Sequence, residues 1–212
     1  NIRDNDGNTP LHFANEHTVI KLIDCGANTL LRNNMGQTPV YYWTAETMKH
    51  LIHRKGSAYV RKHLDFNSRD NNNATPLFYS TSYTKTLLLI EEGADINIQD
   101  NNGCTPIFAA LLTSNDMVAR CLLDNCADIN IQDNDGYAPL HFVKSASIAS
   151  MLIKHKANVN VKNKYGNTPL HLVINSTIAN ILIEGGADVN AKNNYNQTPL
   201  DLVENIDIAR IL

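Results

Sequence analysis

Three histidines raise the first question of chemistry. His50 and His53 stand three residues apart, on one face of any helix that holds them, and His63 follows. Imidazoles at that spacing could share a metal ion. No carboxylate or cysteine at ligand spacing completes a tetrahedral set, so no metal and no cofactor is expected. The same stretch carries Lys49, Arg54, Lys55, Arg61 and Lys62 without one acidic residue between Lys49 and His63. Such a patch could receive a carboxylate, a phosphate or an acidic peptide. It could equally be a solvated helix end and loop, since Lys and Arg are ordinarily exposed.

Aromatic residues gather beside this patch. Tyr41, Tyr42, Trp43, Tyr59, Phe66, Phe78, Tyr79 and Tyr83 are eight of the chain's fourteen aromatics. Tyr, Trp and Arg are the residue types that carry most binding energy at protein interfaces. A protein-binding site is therefore expected, with Tyr42, Trp43, Tyr59, Tyr79 and Tyr83 as apolar anchors and Arg54, Lys55, Arg61 and Lys62 as a charged flank. A second strip is expected at exposed loop tips, from Met35, Tyr137, Tyr165 and Tyr195.

Catalytic chemistry finds no support. The chain has no GxSxG, HExxH, GxxxxGK[ST] or glycine-rich phosphate loop, so neither catalytic residues nor an enzymatic activity is expected. A net charge of −3 gives no general attraction to nucleic acid or to an anionic membrane. No apolar run reaches the length of a transmembrane helix, and no signal peptide is present. Cys25, Cys104, Cys121 and Cys126 show no paired spacing, which reads as free thiols in a reducing, cytoplasmic compartment.

What positions these side chains is a repeat. All seven prolines, Pro10, Pro39, Pro76, Pro106, Pro139, Pro169 and Pro199, follow Thr or Ala and precede Leu, Val or Ile, at intervals of 29, 37, 30, 33, 30 and 30 residues. Thr followed by Pro is a helix start. Gly-Ala-Asx, as at Gly26-Ala27-Asn28, Gly93-Ala94-Asp95 and Gly186-Ala187-Asp188, is a helix stop. Between them an apolar stripe such as Ile178, Ile181 and Leu182 recurs at helical spacing, so each unit holds two antiparallel helices. The run Asp95 to Gly103 then alternates and turns on Asx and Gly, as a hairpin-like loop does. About seven units start near residues 9, 38, 75, 105, 138, 168 and 198. They make an all-α solenoid that forms one domain over residues 1–212, with both ends looking cut from a larger protein.

The segments Thr9-Pro10-Leu11-His12, Ala138-Pro139-Leu140-His141 and Thr168-Pro169-Leu170-His171, with their Gly-Ala-Asp and Asp-x-x-Gly partners, resemble ankyrin repeats over essentially the whole chain. Only the Pro106–Pro139 interval meets the family's 33-residue period. The shorter units lack residues between their two helices, so those pairs are expected to be about one turn shorter. The interval of 37 instead places an insertion at roughly Ser57 to His63. The resemblance implies that His12, His141 and His171 bond backbone and tie neighbouring repeats, and that first helices and loop tips line a concave partner-binding face. On this reading Trp43, Tyr41 and Phe78, which replace a small Ala and the motif His, are the alternative: inter-repeat core rather than surface. Leu eight residues before Asn97, Asn130, Asn160 and Asn190 also resembles the pattern modified by an asparaginyl hydroxylase. Function is thus expected to be non-catalytic binding of another protein, one with an acidic or phosphorylated segment, by a monomer. Richness in Asn and Ile suggests a microbial or viral effector acting in a host cytosol. The alternative is a substrate-recognition array of a larger enzyme or ubiquitin-ligase adaptor.

Overall fold

The computed structural model describes residues 1–212 and is helical throughout, with no strand. It divides into two compact units, Asn1–Asn101 and Asn102–Leu212, each a stack of the expected repeats.

In the first unit, the Thr-Pro starts give only single 3₁₀ turns, at Pro10–Phe13, Pro39–Tyr41 and Pro76–Tyr79. The preceding Thr is extended in each case, and proline's fixed φ suits the first helical position. The turn stops at once because too few residues remain before the second helix. Those second helices are α1 (Val19–Asp24), α2 (Ala45–Lys55) and α4 (Tyr83–Glu91), with an added helix α3 (Ser57–His63) after α2. Thr44 caps α2 and Ser82 caps α4 through their hydroxyls.

The second unit holds α5 (Pro106–Leu112), α6 (Asp116–Asp124), α7 (Ala146–Lys154), α8 (Ser176–Glu184), α9 (Pro199–Leu202) and α10 (Ile206–Ala209). Only the repeat with the 33-residue interval has room for a seven-residue first helix, α5. Its successors again have single turns, Pro139–Phe142 and Pro169–Leu172. The expected shortening therefore falls on the first helix of each pair.

Short first helices leave carbonyls with acceptor capacity to spare; Leu11 O, for one, has a single backbone donor, Ala14 N at 3.3 Å. In the first unit the next repeat supplies the donors. Trp43 Nε1 donates to Leu11 O at 2.8 Å, and Lys85 Nζ donates to Tyr41 O at 2.9 Å. Lys85 is buried without a carboxylate partner, and burial pushes its amine down to about 8. Around these bonds the core is a thin apolar seam: Leu11, Val19, Val40, Leu51, Leu77 and Leu89 in the first unit, Leu122, Ile148, Leu152 and Leu182 in the second.

The loops stack through asparagine. Asn34 Nδ2 donates to Asn5 O, Asn71 Nδ2 to Asn34 O and Asn194 Nδ2 to Lys164 O, at 3.0, 2.9 and 2.9 Å. Backbone bonds run alongside, such as Asn71 N to Met35 O and Lys164 N to Asp135 O. The loop glycines are required here. At Gly166, with φ +77°, an added Cβ would lie 2.5 Å from Asn194 Oδ1, inside any van der Waals contact. The Asn content thus has a structural use: it makes a ladder in which each loop is laid on the one before.

Candidate functional site

The fourth residue of the Pro-phased turn, counted from the proline, is aromatic in all three repeats of the first unit: Phe13, Tyr42 and Tyr79. All three are exposed in part, Tyr42 at 42% and Tyr79 at 39%. The orientation of Tyr42 and Tyr79 is fixed by the loops. Tyr42 Oη accepts from Asn33 Nδ2 at 2.8 Å and donates to Gln37 Oε1 at 2.6 Å. Tyr79 Oη donates to Asp70 Oδ2 at 2.6 Å, and Gln37 Nε2 donates to the same oxygen at 3.1 Å. One continuous hydrogen-bonded chain thus joins Asn8, Asn33, Tyr42, Gln37, Asp70 and Tyr79. Burial, followed by the Asp70 carboxylate, pushes the Tyr79 phenol up to about 12. Both hydroxyls are committed, so the rings offer faces and edges to anything that binds.

Trp43 departs from expectation. It is 1% exposed and lies between repeats, so it anchors the fold and not a partner. Tyr41 is likewise interior, and its hydroxyl lies between two carbonyl acceptors, Ser68 O and Ala74 O, which its one proton shares, doing the work of the motif histidine. Tyr83 is half-buried at the start of α4. Tyr59, on α3, stacks on His63 with ring centroids 4.0 Å apart and receives Lys55 Nζ 5.5 Å from its centroid.

Half of the basic flank is occupied. Lys55 pairs with Asp24 at 2.5 Å, Lys49 with Glu46 at 3.0 Å, and Arg61 with Glu92 at 3.1 Å. Arg54 and Lys62 are exposed and lie outside these pairs. Lys55 and Arg61 meet the carboxyl ends of α1 and α4, whereas Tyr42 and Tyr79 meet the loops, so the structure does not join flank and anchors into one site. The insertion itself is helical: α3 covers the seven residues expected to be extra, Ser57–His63. It straps neighbouring repeats, since His63 O accepts from Thr29 and Ser57 Oγ donates to Glu92 Oε1 at 2.7 Å.

Of the second strip, Met35, Tyr165 and Tyr195 stand at loop tips and are exposed. Tyr137 does not. It follows Gly136, is half-buried, and packs against His141 and Phe142. The hydroxylation candidates staple repeats: Asn130 Oδ1 accepts from Asn158 N at 2.9 Å, and Asn160 accepts from Asp188 N at 2.8 Å while donating to Gly186 O. Asn97 and Asn190 hold the equivalent position in their repeats, each with its N–H bonded to the Asp two residues earlier.

His12, His141 and His171 do tie repeats. Each Nε2 lies 3.1 Å from a carbonyl of the following loop, Gln37 O, Asn167 O and Gln197 O. Each Nδ1 accepts a backbone N–H, from Thr9, Ala138 and Thr168, so Nε2 carries the proton. His50 and His53 lie on α2 and His63 on α3, and no three His, Cys, Asp or Glu side chains converge in a metal-binding arrangement. No helix is long and apolar enough to cross a membrane.

Stacked helix pairs, motif histidines bonded across repeats and laddered loops define a class of solenoid, and comparison with known proteins gives it a name. The family model for ankyrin repeats in three copies matches residues 41–133, 82–163, 109–193 and 142–212, and the single ankyrin-repeat model matches residues 6–34. The chain belongs to the ankyrin-repeat family. Among solved structures it is similar to the ankyrin repeat domain of Bcl-3, described as a unique member of the IkappaB protein family. That likeness is 27% identical, with a TM-score of 0.77, over 97% of this chain and 99% of that one. No curated protein sequence matches.

Proposed function

We propose that this ankyrin array is a non-catalytic module that binds another protein through the rings of Phe13, Tyr42 and Tyr79. The observation that carries the reading is the locking of Tyr42 and Tyr79 by Asn33, Gln37 and Asp70. Rings that are exposed yet already fixed lose little conformational freedom on binding, which is what makes rigid aromatics effective anchors. Stacked repeats present extended surfaces of this kind as a matter of architecture. The free cations Arg54 and Lys62 add at most a peripheral contact for an acidic segment. Asn abundance is accounted for by the loop ladder and no longer singles out a microbial or viral source.

Affinity capture with the wild type and with a Tyr42→Ser, Tyr79→Ser double variant tests the proposal. Proteins held by the wild type and lost from the folded double variant are the expected result. An identical retained set, from a double variant with unchanged circular dichroism, overturns it.

A further inference from the structure

We infer that Ser57 is a phosphorylation site whose modification releases α3 from the neighbouring repeat. Ser57 follows Gly56, the hinge between α2 and α3, where φ is +82° and nothing lies within 4 Å of the Cβ position. Its side chain is half-buried, and its hydroxyl donates to Glu92 Oε1 at 2.7 Å. The Glu92 side chain is 5% exposed, and its other oxygen accepts from Arg61 Nε at 3.1 Å. Two groups of α3 therefore hold one buried carboxylate of the next repeat, and one of them is a hydroxyl.

The sequence before the hydroxyl suits a basophilic serine kinase. Arg54 and Lys55 stand three and two residues ahead of Ser57, Arg54 is exposed and outside any ion pair, and Lys55 is held at the surface by Asp24 and the face of Tyr59. The kinase supplies a nucleoside triphosphate. Ser57 Oγ forms the new bond to the γ-phosphorus, the bond from that phosphorus to the β-bridging oxygen breaks, the nucleoside diphosphate leaves, and the hydroxyl proton passes to the kinase's base.

The product cannot keep the old contact. A phosphoserine carries about −1.5 to −2 charges at neutral pH and no hydrogen to give, and beside a carboxylate it acts by repulsion and desolvation. Arg61, one helical turn on, is then drawn to the phosphate and away from Glu92, whose buried charge is left without a partner. Opening at Gly56 relieves both conflicts and uncovers Val60 and Leu64, now buried.

The test treats the intact chain with a basophilic serine kinase and ATP, and compares Ser57→Ala, Ser57→Glu and Glu92→Gln. One phosphate is expected on the wild type and none on Ser57→Ala. In the phosphorylated protein, trypsin should cut after Arg61 and Lys62 at least about tenfold faster, and the amides of Val60 and Leu64 should exchange faster, while Leu152 and Leu182 keep their protection. Ser57→Glu should reproduce the opening, and Glu92→Gln should weaken the effect of phosphate, because the buried charge is gone. No label at Ser57, a labelled protein cut no faster than before, or slower exchange at Val60 from a phosphate clamped by Arg61, would each overturn the inference. Loss of protection at Leu152 and Leu182 as well would mean general unfolding and overturn it too.

Discussion

Two groups of repeats share one Thr-Pro start and differ at the third residue of the turn. Where that residue is His, as at His12 and His171, the imidazole meets the Thr hydroxyl at 3.0 and 2.9 Å and reaches the next loop. Where it is Phe, as at Phe78 and Phe108, the hydroxyls of Thr75 and Thr105 are buried with no partner. The start is alike in both groups, with Thr9, Thr75, Thr105 and Thr168 all extended. The extended Thr and the turn that follows need only proline and the apolar residue after it, so the histidine is a tie between units and not a folding signal. Elsewhere other chemistry does one half of this work: Tyr41 reaches Ala74 O in the following loop, and Asp201 Oδ2 accepts from Thr198 N and Thr198 Oγ1 within its own repeat.

The largest expected effect lies on the apolar side of the comparison. Phe108 is fully buried, and Phe108→Ala should cost about 4 kcal/mol by cavity formation, read as a lower urea midpoint with unchanged slope. A loss under about 1 kcal/mol would mean that ring filling does not replace the histidine tie. His171→Phe should cost about 2 kcal/mol, because it strands Gln197 O and the buried Thr168 hydroxyl. If it costs nothing, the tie is ornamental.

Acid sharpens the same contrast. Burial holds His12, His141 and His171 below their ordinary value of 6.5, and their protonation would oppose the N–H donors at Nδ1. The folded pKa is the lower one, so the unfolded chain takes up more protons as pH falls through 6.5. The stability these rings contribute is complete above that pH and is lost below it. Urea midpoints between pH 7 and pH 5 should fall for the wild type and fall less for a triple His→Phe variant. Equal slopes would remove the histidines from the account. The smallest effect is expected at the orphaned hydroxyls. Thr75→Val and Thr105→Val should be neutral or gain up to about 1 kcal/mol, whereas Thr168→Val should lose about 1 kcal/mol.

Punctuation was the legible part of this molecule. Pro-phased starts, Gly-Ala-Asx stops and the apolar stripe pointed to the helices, and the interval of 37 pointed to α3, because each signal is local and independent of neighbours. What stayed hidden depends on a second repeat. Trp43 is surface-like in composition, but its indole is aimed at Leu11 O. Lys85 sits between two threonines as any exposed lysine might, yet its amine reaches Tyr41 O. The signal that could have found both was the shortness of the first helices, whose carbonyls keep acceptor capacity that a neighbouring repeat can use. Asn34, Asn71 and Asn194 looked like turn formers, and only the stacking of one loop on the next gives their amides a partner.

Ankyrin arrays are ordinarily thought of as modular, with units that can be copied or removed. The donors Trp43 and Lys85 make the first unit less forgiving. Each donates to the turn of the repeat before it, so deleting the second repeat would set Lys85 against a turn that had been met by an indole, and duplicating it would bury an indole with a different carbonyl to find. Shortening the first helices thus converted interchangeable parts into an ordered series, in which a unit's sequence is correct only for its place.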